Sequence, residues 1–297
     1  MSIRWGVSPI AWANDDMPEL GGDTPLDSIL DDIKAIGFEG VELGGKFPRD
    51  PAVLQAIMQR HGLDIIGGWY SSNLLVRTAE EEIAALADHL TLLKAMGSDV
   101  FVIAETSNAV HGDRASRLDR PPRLAPGDWA EFGRRMNQVA AYLADQGVRL
   151  AYHHHLGTVV ETEQDLELFL SATDARVGLV LDTGHALYGG IDPLDLVRRH
   201  PERIVHVHCK DVRRPIHRRT RDEGRSFLDG VVAGMFTAPG DGDYDYAPFL
   251  RGLAEMHYRG WIVIEAEQDP ALADPRTYSQ LGLDTLQRLA RQTGLTA

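Results

Sequence analysis

Histidines and carboxylates in this 297-residue chain gather at four places. These are Tyr152-His153-His154-His155, Leu181-Asp182-Thr183-Gly184-His185, His206-Val207-His208-Cys209-Lys210-Asp211 and Ile264-Glu265-Ala266-Glu267. Imidazole nitrogen and carboxylate oxygen together suit a borderline divalent ion such as Mn2+, Co2+, Fe2+ or Zn2+. A lone histidine in such a place is more often a hydrogen-bonded core residue, and a lone glutamate more often a solvated charge. The set carries more weight than any member, because burying several ionisable groups together is costly unless they pair or bind a metal.

Each cluster closes a short apolar, β-branched run, so each reads as the end of a strand. Residues two apart on a strand share a face. His153 then faces with His155, His206 with His208, and Glu265 with Glu267. His154 points the other way and reads as structural. Cys209, the lone cysteine, reads as a small buried hydrophobe.

The first half of the chain offers fewer groups: Trp12 and Asn14, Glu42 and Lys46, Trp69, and Glu105. A carboxylate, an ammonium, an amide and an aromatic wall suit a polyhydroxylated ring. The plainer reading is that Trp12 and Trp69 cap the core.

Eight strand-like runs must position these groups: 4–8, 40–43, 64–69, 99–104, 149–153, 178–182, 203–208 and 261–265. Amphipathic runs with helical spacing alternate with them, at 26–36, 51–61, 80–96, 126–146, 163–172, 193–199, 246–256 and 279–293. Thr24-Pro25 and Asp192-Pro193 read as an N-cap followed by proline at the first helical position. Gly37, Gly62, Gly97 and Gly147 stand where a helix would end. Alternating strands and helices at this length predict a single α/β domain over 1–297, a TIM (β/α)8 barrel. An open doubly wound sheet is disfavoured, because no G-x-G-x-x-G follows the first strand. A barrel places its chemistry at the C-terminal strand ends, where the four clusters lie. Residues 213–242 read as a long loop insertion, and long loops in compact domains are usually functional or disordered. A lid carrying arginine over an oxygen-rich substrate is the functional reading, and a solvated basic loop the bland one.

Lys plus Arg number 30 against 44 Asp plus Glu, a net charge of −14. That acidity argues against a nucleic-acid partner, whose phosphates reward a basic surface. No apolar run approaches the roughly 20 residues of a membrane helix, so no membrane partner is expected. The first residues lack the apolar stretch and cleavage site of a signal peptide. One cysteine allows no intrachain disulfide, which fits a reducing cytoplasm. A homo-oligomer is left open.

Asp182-Thr183-Gly184-His185, His206-Val207-His208-Cys209-Lys210-Asp211 and Glu265 resemble the signatures of the xylose-isomerase-like TIM barrels over nearly the whole chain. Within that superfamily the chain most resembles the inosose dehydratases. Residues 9–22, with Asn14-Asp15-Asp16 and Pro18-Glu19-Leu20-Gly21-Gly22, carry this most specifically. Gly40–Gly44, Tyr152–Thr162 and Glu265–Pro270 add to it.

The resemblance implies the metal ligands Asp182, His208 and Glu265. The fourth is usually a glutamate at the end of strand five, where this chain has His153. His153 can ligate, and Glu161 or water is the alternative. The resemblance further implies acid–base roles for His155 and His185, a Mn2+ or Co2+ ion, and a glutathione requirement that no residue here explains. The implied reaction removes water from 2-keto-myo-inositol, giving 3D-(3,5/4)-trihydroxycyclohexane-1,2-dione. A metal ion would act as a Lewis acid on the ketone or the adjacent hydroxyl. His185 or His155 would take the α-proton. Lys46, Glu42 or the other histidine would protonate the leaving hydroxyl. Trp12, Asn14, Trp69, Lys210 and Glu267 are left to hold the substrate. The alternative is a metal-dependent ketose isomerase or epimerase on the same barrel, which abstracts a proton without losing water.

Overall fold

The computed structural model describes residues 2–295. Eight strands, Ile3–Val7, Gly40–Leu43, Asp64–Ser72, Val100–Glu105, Arg149–His153, Val177–Asp182, Ile204–Cys209 and Gly260–Ile264, close into a barrel. Neighbours in sequence pair in parallel, and the eighth strand meets the first with Val7 opposite Ile264. The strand ends differ from expectation by at most one residue, except that the third runs on to Ser72.

The helices follow their caps. Asp50 accepts from the N–H groups of Ala52 and Val53 ahead of helix Pro51–His61, with Pro51 at the first position. Thr162 and Asp165 form a capping box before Glu163–Ala172. The expected Thr24 cap does not form; Pro25 itself holds the N-cap position of Leu26–Ile36. The span expected to be one helix over 80–96 is two, Ala79–Ala85 and Ala87–Ala95, which meet at Leu86. All four glycines expected to end helices adopt positive φ.

Apolar side chains fall into separate layers. The largest packs between the strands and the outer helices. Inside the barrel, Val100, Val102, Ala151, Val180 and Val205 form one plug, and Ile66, Trp261 and Val263 another. A further cluster caps the C-terminal mouth. Met17, Leu118, Leu156, Tyr188, Phe227 and Phe236 belong to it, drawn from the segments after strands one, four, five, six and seven.

The expected loop over 213–242 is an ordered part of that cap. It folds as helices Arg214–Asp222 and Phe227–Val232, and its end pairs as an antiparallel ribbon, Asp211–Val212 with Phe236–Thr237. Another short helix, Thr183–Gly189, starts directly at the end of strand six. Among the described residues no helix is long and apolar enough to cross a membrane.

Candidate metal centre and catalytic cavity

Above the apolar plug the barrel interior turns polar. His153, Asp182, His208 and Glu265 are all buried, and each offers one ligand atom within 4.8 Å of the others. Register explains the convergence. Asp182 lies opposite His208, His208 opposite Val263, and the Glu265 N–H donates to the Cys209 carbonyl.

Each donor is oriented by a second bond. The His153 Nδ1 is 2.8 Å from the His154 carbonyl, which assigns the proton to Nδ1 and leaves the Nε2 lone pair 3.7 Å from Asp182 Oδ2. His208 Nε2 meets Glu42 Oε1 at 3.0 Å, so its Nδ1 faces Glu265 Oε2 at 2.7 Å and Asp182 Oδ2 at 3.6 Å. Asp182 Oδ1 accepts from the His185 N–H and caps the helix that starts there. Asp182 Oδ2 and His208 Nδ1 are buried and neither makes a well-aligned hydrogen bond, the 2.7 Å approach of Glu265 to His208 included. Buried polar atoms are almost always satisfied. Two orphans pointing into one set of two nitrogen and two oxygen donors fit a divalent cation between them. A ligating histidine whose other nitrogen meets a carboxylate or carbonyl is the usual supporting arrangement.

Glu42 belongs to this support. Its Oε1 is 3.0 Å from Nε2 of both His206 and His208. Burial works to raise its pKa, but the two imidazoles hold the carboxyl well below its ordinary range. Its Oε1 thus serves as acceptor to two rings, a place beside a candidate ligand, while the residue also lines the cavity.

Lys210 is enclosed completely. Its Nζ lies 2.6 Å from Glu265 Oε1 and 3.0 Å from Glu267 Oε2. Burial opposes its charge, and the carboxylates of Glu265, Glu267 and Asp182 outweigh burial and raise its pKa. The Asp-Thr-Gly-His stretch is its seat. Thr183 Oγ1 bonds both the Lys210 carbonyl and N–H. A Cβ at Gly184 would lie about 3 Å from the lysine stem, so only glycine leaves room. Lys210 therefore orients Glu265 and Glu267 and lies outside the lining of the cavity, away from the place expected for it.

A cavity opens over the donor set. Its lining includes Trp69, His111, His155, Asp15, Asp16 and Glu267, and neither lysine nor arginine is among its lining residues. Trp69 stands edge-on to His153 and His155, each at 5.5 Å between centroids. His155 Nδ1 is 2.7 Å from the Leu156 carbonyl, so Nε2 carries the lone pair. Burial drives its pKa well below the ordinary histidine value, and nearby His111, His153 and Lys210 add to this. The ring is a neutral base at the edge of the cavity. Burial pushes the Glu267 carboxyl up to about 7 despite Lys210.

Several expected residues lie elsewhere. His185 lies against His155, the centroids 3.7 Å apart and the rings tilted by 36°, and is outside the lining. Lys46 donates to the Gly22 carbonyl and does not reach the cavity. Trp12 is a core residue, its indole N–H bonded to Asp32. Asn14 Oδ1 accepts from the N–H groups of Asp16 and Met17, which shapes the loop that brings Asp15 and Asp16 over the cavity. Glu161 accepts from the Gly157 N–H and is absent from the donor set. The arginines of 213–225 do not overhang the site; Arg213 bonds Gly234, Thr237 and Asp241 within the cap. Phe227 and Phe236 cover the histidines instead, with Phe227 5.2 Å from His155 and Phe236 5.3 Å from His185.

Sequence reasoning missed His111, Asp15, Asp16 and the two phenylalanines. The long connection over 106–128 was the available signal for His111, since long loops in compact domains are usually functional.

The model of the xylose isomerase-like TIM barrel matches residues 30–289. The chain belongs to that family. It is 45% identical over 294 residues to the rhizopine catabolism protein MocC of Rhizobium meliloti, covering 99% of this chain and 90% of the relative. It is 40% identical over 282 residues to the inosose dehydratase of Klebsiella pneumoniae strain 342, covering 94% of each. A xylose isomerase domain protein of Alicyclobacillus acidocaldarius superposes with a TM-score of 0.71 at 22% identity, over 99% of this chain and 100% of that one. That last likeness is one of fold alone.

Proposed function

We propose that this member of the xylose isomerase-like barrels is a divalent-metal-dependent dehydratase that removes water from 2-keto-myo-inositol in inositol catabolism. The observation that carries the reading is a neutral imidazole, His155, facing the same cavity as an unsatisfied donor set of two histidines, an aspartate and a glutamate. Relatives named inosose dehydratase support the substrate. His153, Asp182, His208 and Glu265 would hold the ion, with Mn2+ or Co2+ suited to their mix of nitrogen and oxygen. The ion, when bound, would polarise the ketone or neighbouring hydroxyl oxygen and so acidify the adjacent C–H.

The chain's own residues do the rest. His155 Nε2 takes the α-proton. Trp69 supplies an apolar wall to the ring, while Asp15, Asp16 and Glu267 offer acceptors to its hydroxyls. Lys210 fixes the Glu265 and Glu267 carboxylates, and Glu42 fixes the His208 ring. The lone buried cysteine and net acidic charge agree with a cytoplasmic protein that binds no nucleic acid.

The test is mass spectrometry on metal-free protein, reloaded with Mn2+ and given 2-keto-myo-inositol. Metal-dependent loss of one water is the expected result. An intact mass with solvent deuterium incorporated would turn the reading to an isomerase or epimerase. No change with any metal would remove the substrate assignment.

A further inference from the structure

His111 comes to the cavity from the cap and not from a barrel strand. Its ring centroid is 4.8 Å from that of His155, 6.0 Å from Trp69 and 6.4 Å from Phe227. Its Nδ1 is buried with no hydrogen-bond partner, and the residue lines the cavity. Nδ1 is shut off from solvent, so the nitrogen that this lining residue can offer a bound molecule is Nε2, beside the candidate base, a placement suited to proton transfer.

The backbone under His111 is clamped. The Val110 N–H donates to the Gly157 carbonyl at 2.8 Å. Gly157 has φ +76, and a Cβ there would come within 2.9 Å of His111 N and 3.2 Å of its Cα. The same connection is tied on its far side, where the Leu118 N–H donates to the Arg225 carbonyl and Arg114 reaches Met17 Sδ and Glu19. Three neighbouring segments therefore hold one otherwise irregular loop against the site. The anchoring buries Leu118 in the apolar cluster of the mouth and fixes the place of His111 with it.

We propose that His111 is a second catalytic residue of the dehydration, the one that protonates the leaving hydroxyl. This rests on the dehydratase reading above. His155 Nε2 removes the proton from the carbon next to the ketone, and the C–H pair moves to the carbonyl oxygen as an enolate. The pair then returns, a carbon–carbon double bond forms, and the β carbon–oxygen bond breaks. Burial, with His153, disfavours the charged His111 ring in the free protein while Asp16 favours it. Negative charge developing on the departing oxygen adds to the Asp16 effect, and that oxygen takes a proton from the His111 imidazolium and leaves as water. His155 returns its proton to solvent and His111 regains one, so charge and protons balance. Separate bases and acids let the first half-reaction run without the second.

That separation is the test. His111→Gln protein, loaded with Mn2+, is given 2-keto-myo-inositol in D2O, and exchange at the α-carbon is followed by NMR beside loss of water. The expected result is dehydration slower by about a hundredfold, in the range of a lost general acid, with α-exchange continuing and KM changed little. Gly157→Ala, which pushes the His111 backbone away, should show the same split. Thermal melting and bound Mn2+ are measured on both variants to establish that they fold and load. Exchange and dehydration falling together, or neither falling, in folded and metal-loaded variants would overturn the role of His111. A wild-type protein that neither dehydrates nor exchanges this substrate would instead overturn the reaction assigned to the site.

Discussion

Barrel and cap solve the same problem of placing side chains in different ways. The barrel fixes His153, Asp182, His208 and Glu265 at the ends of adjacent strands, where hydrogen-bond register sets their spacing. The cap brings His111, Phe227 and Phe236 to the same cavity through irregular segments that share a small apolar cluster. The barrel's donors sit at or just after the ends of strands that are paired on both sides. The cap's groups depend on a few local contacts, and such segments belong to the low-stability end of a structure. The difference suggests a division of labour, with ion binding assigned to the barrel and the timing of proton transfer to the cap.

The sharpest break would come from Asp182→Asn. The amide keeps an oxygen for the His185 N–H cap but loses the anionic donor. Bound Mn2+ after dialysis should fall to background, and turnover should drop by about a thousandfold or more, as losing several kcal/mol of Lewis-acid stabilisation requires. Full metal content in this variant would remove the donor set from the barrel's side of the comparison. Glu42→Gln tests the support beneath it. Mn2+ affinity, measured by competition with a chelating dye, should weaken by about 10–100-fold, the usual cost of losing a carboxylate behind a ligating histidine. An unchanged affinity would make Glu42 a bystander.

Phe227→Ala probes the cap. Hydrogen exchange over residues 214–236 should speed up by about tenfold or more while the barrel strands keep their protection, and Mn2+ affinity should stay within about threefold of wild type. Equal loss of protection in cap and barrel would merge the two regions into one cooperative unit. The smallest effect concerns Glu161, which joins the strand-five loop to the cap side. Burial pushes its carboxyl up to about 7, against the Gly157 N–H and Arg123. A raised folded-state pKa means the folded protein binds the extra proton between about pH 4.5 and 7. Its contribution is therefore fully present below the unfolded pKa and is lost as pH rises through about 7. Denaturant unfolding should show Glu161→Gln gaining about 1–3 kcal/mol on wild type between about pH 5 and pH 8. A constant difference across that range would mean the carboxyl is not protonated in the folded state.

The same contrast explains what could be read from sequence. Strands and their terminal residues follow a period of two, so the faces of His153, His206, His208 and Glu265 were legible. The barrel also follows from alternation of element types. The cap obeys no period. Phe227 and Phe236 carry no chemical signature, and nothing local tells that Gly157 holds His111 beside His155. Expectations failed where a side chain found a partner distant in sequence. Glu42 is paired with His206 and His208 across more than 160 positions, a tie to a candidate ligand that nothing near it in sequence announces. Lys46 and Trp12 were misplaced in the same way, by Gly22 and Asp32. Lys210 was expected at the substrate because a lysine at a barrel mouth reads as accessible, and only the space at Gly184 reveals that it is sealed inside.

The sealed lysine has a consequence for traffic through the cavity. With that ammonium turned inward, the surface offered to an entering molecule presents carboxylates, imidazoles, a serine and one indole as its polar and aromatic groups. A sugar phosphate of matching size would bring a dianion against Asp15, Asp16 and Glu267, with Arg49 and Lys46 near Asp15 but outside the lining. Like charges in a partly enclosed site cost several kcal/mol. Under the function proposed above, an uncharged polyol is thereby favoured by counter-selection over any competitor that must lay its phosphate on those carboxylates and not on the bound ion.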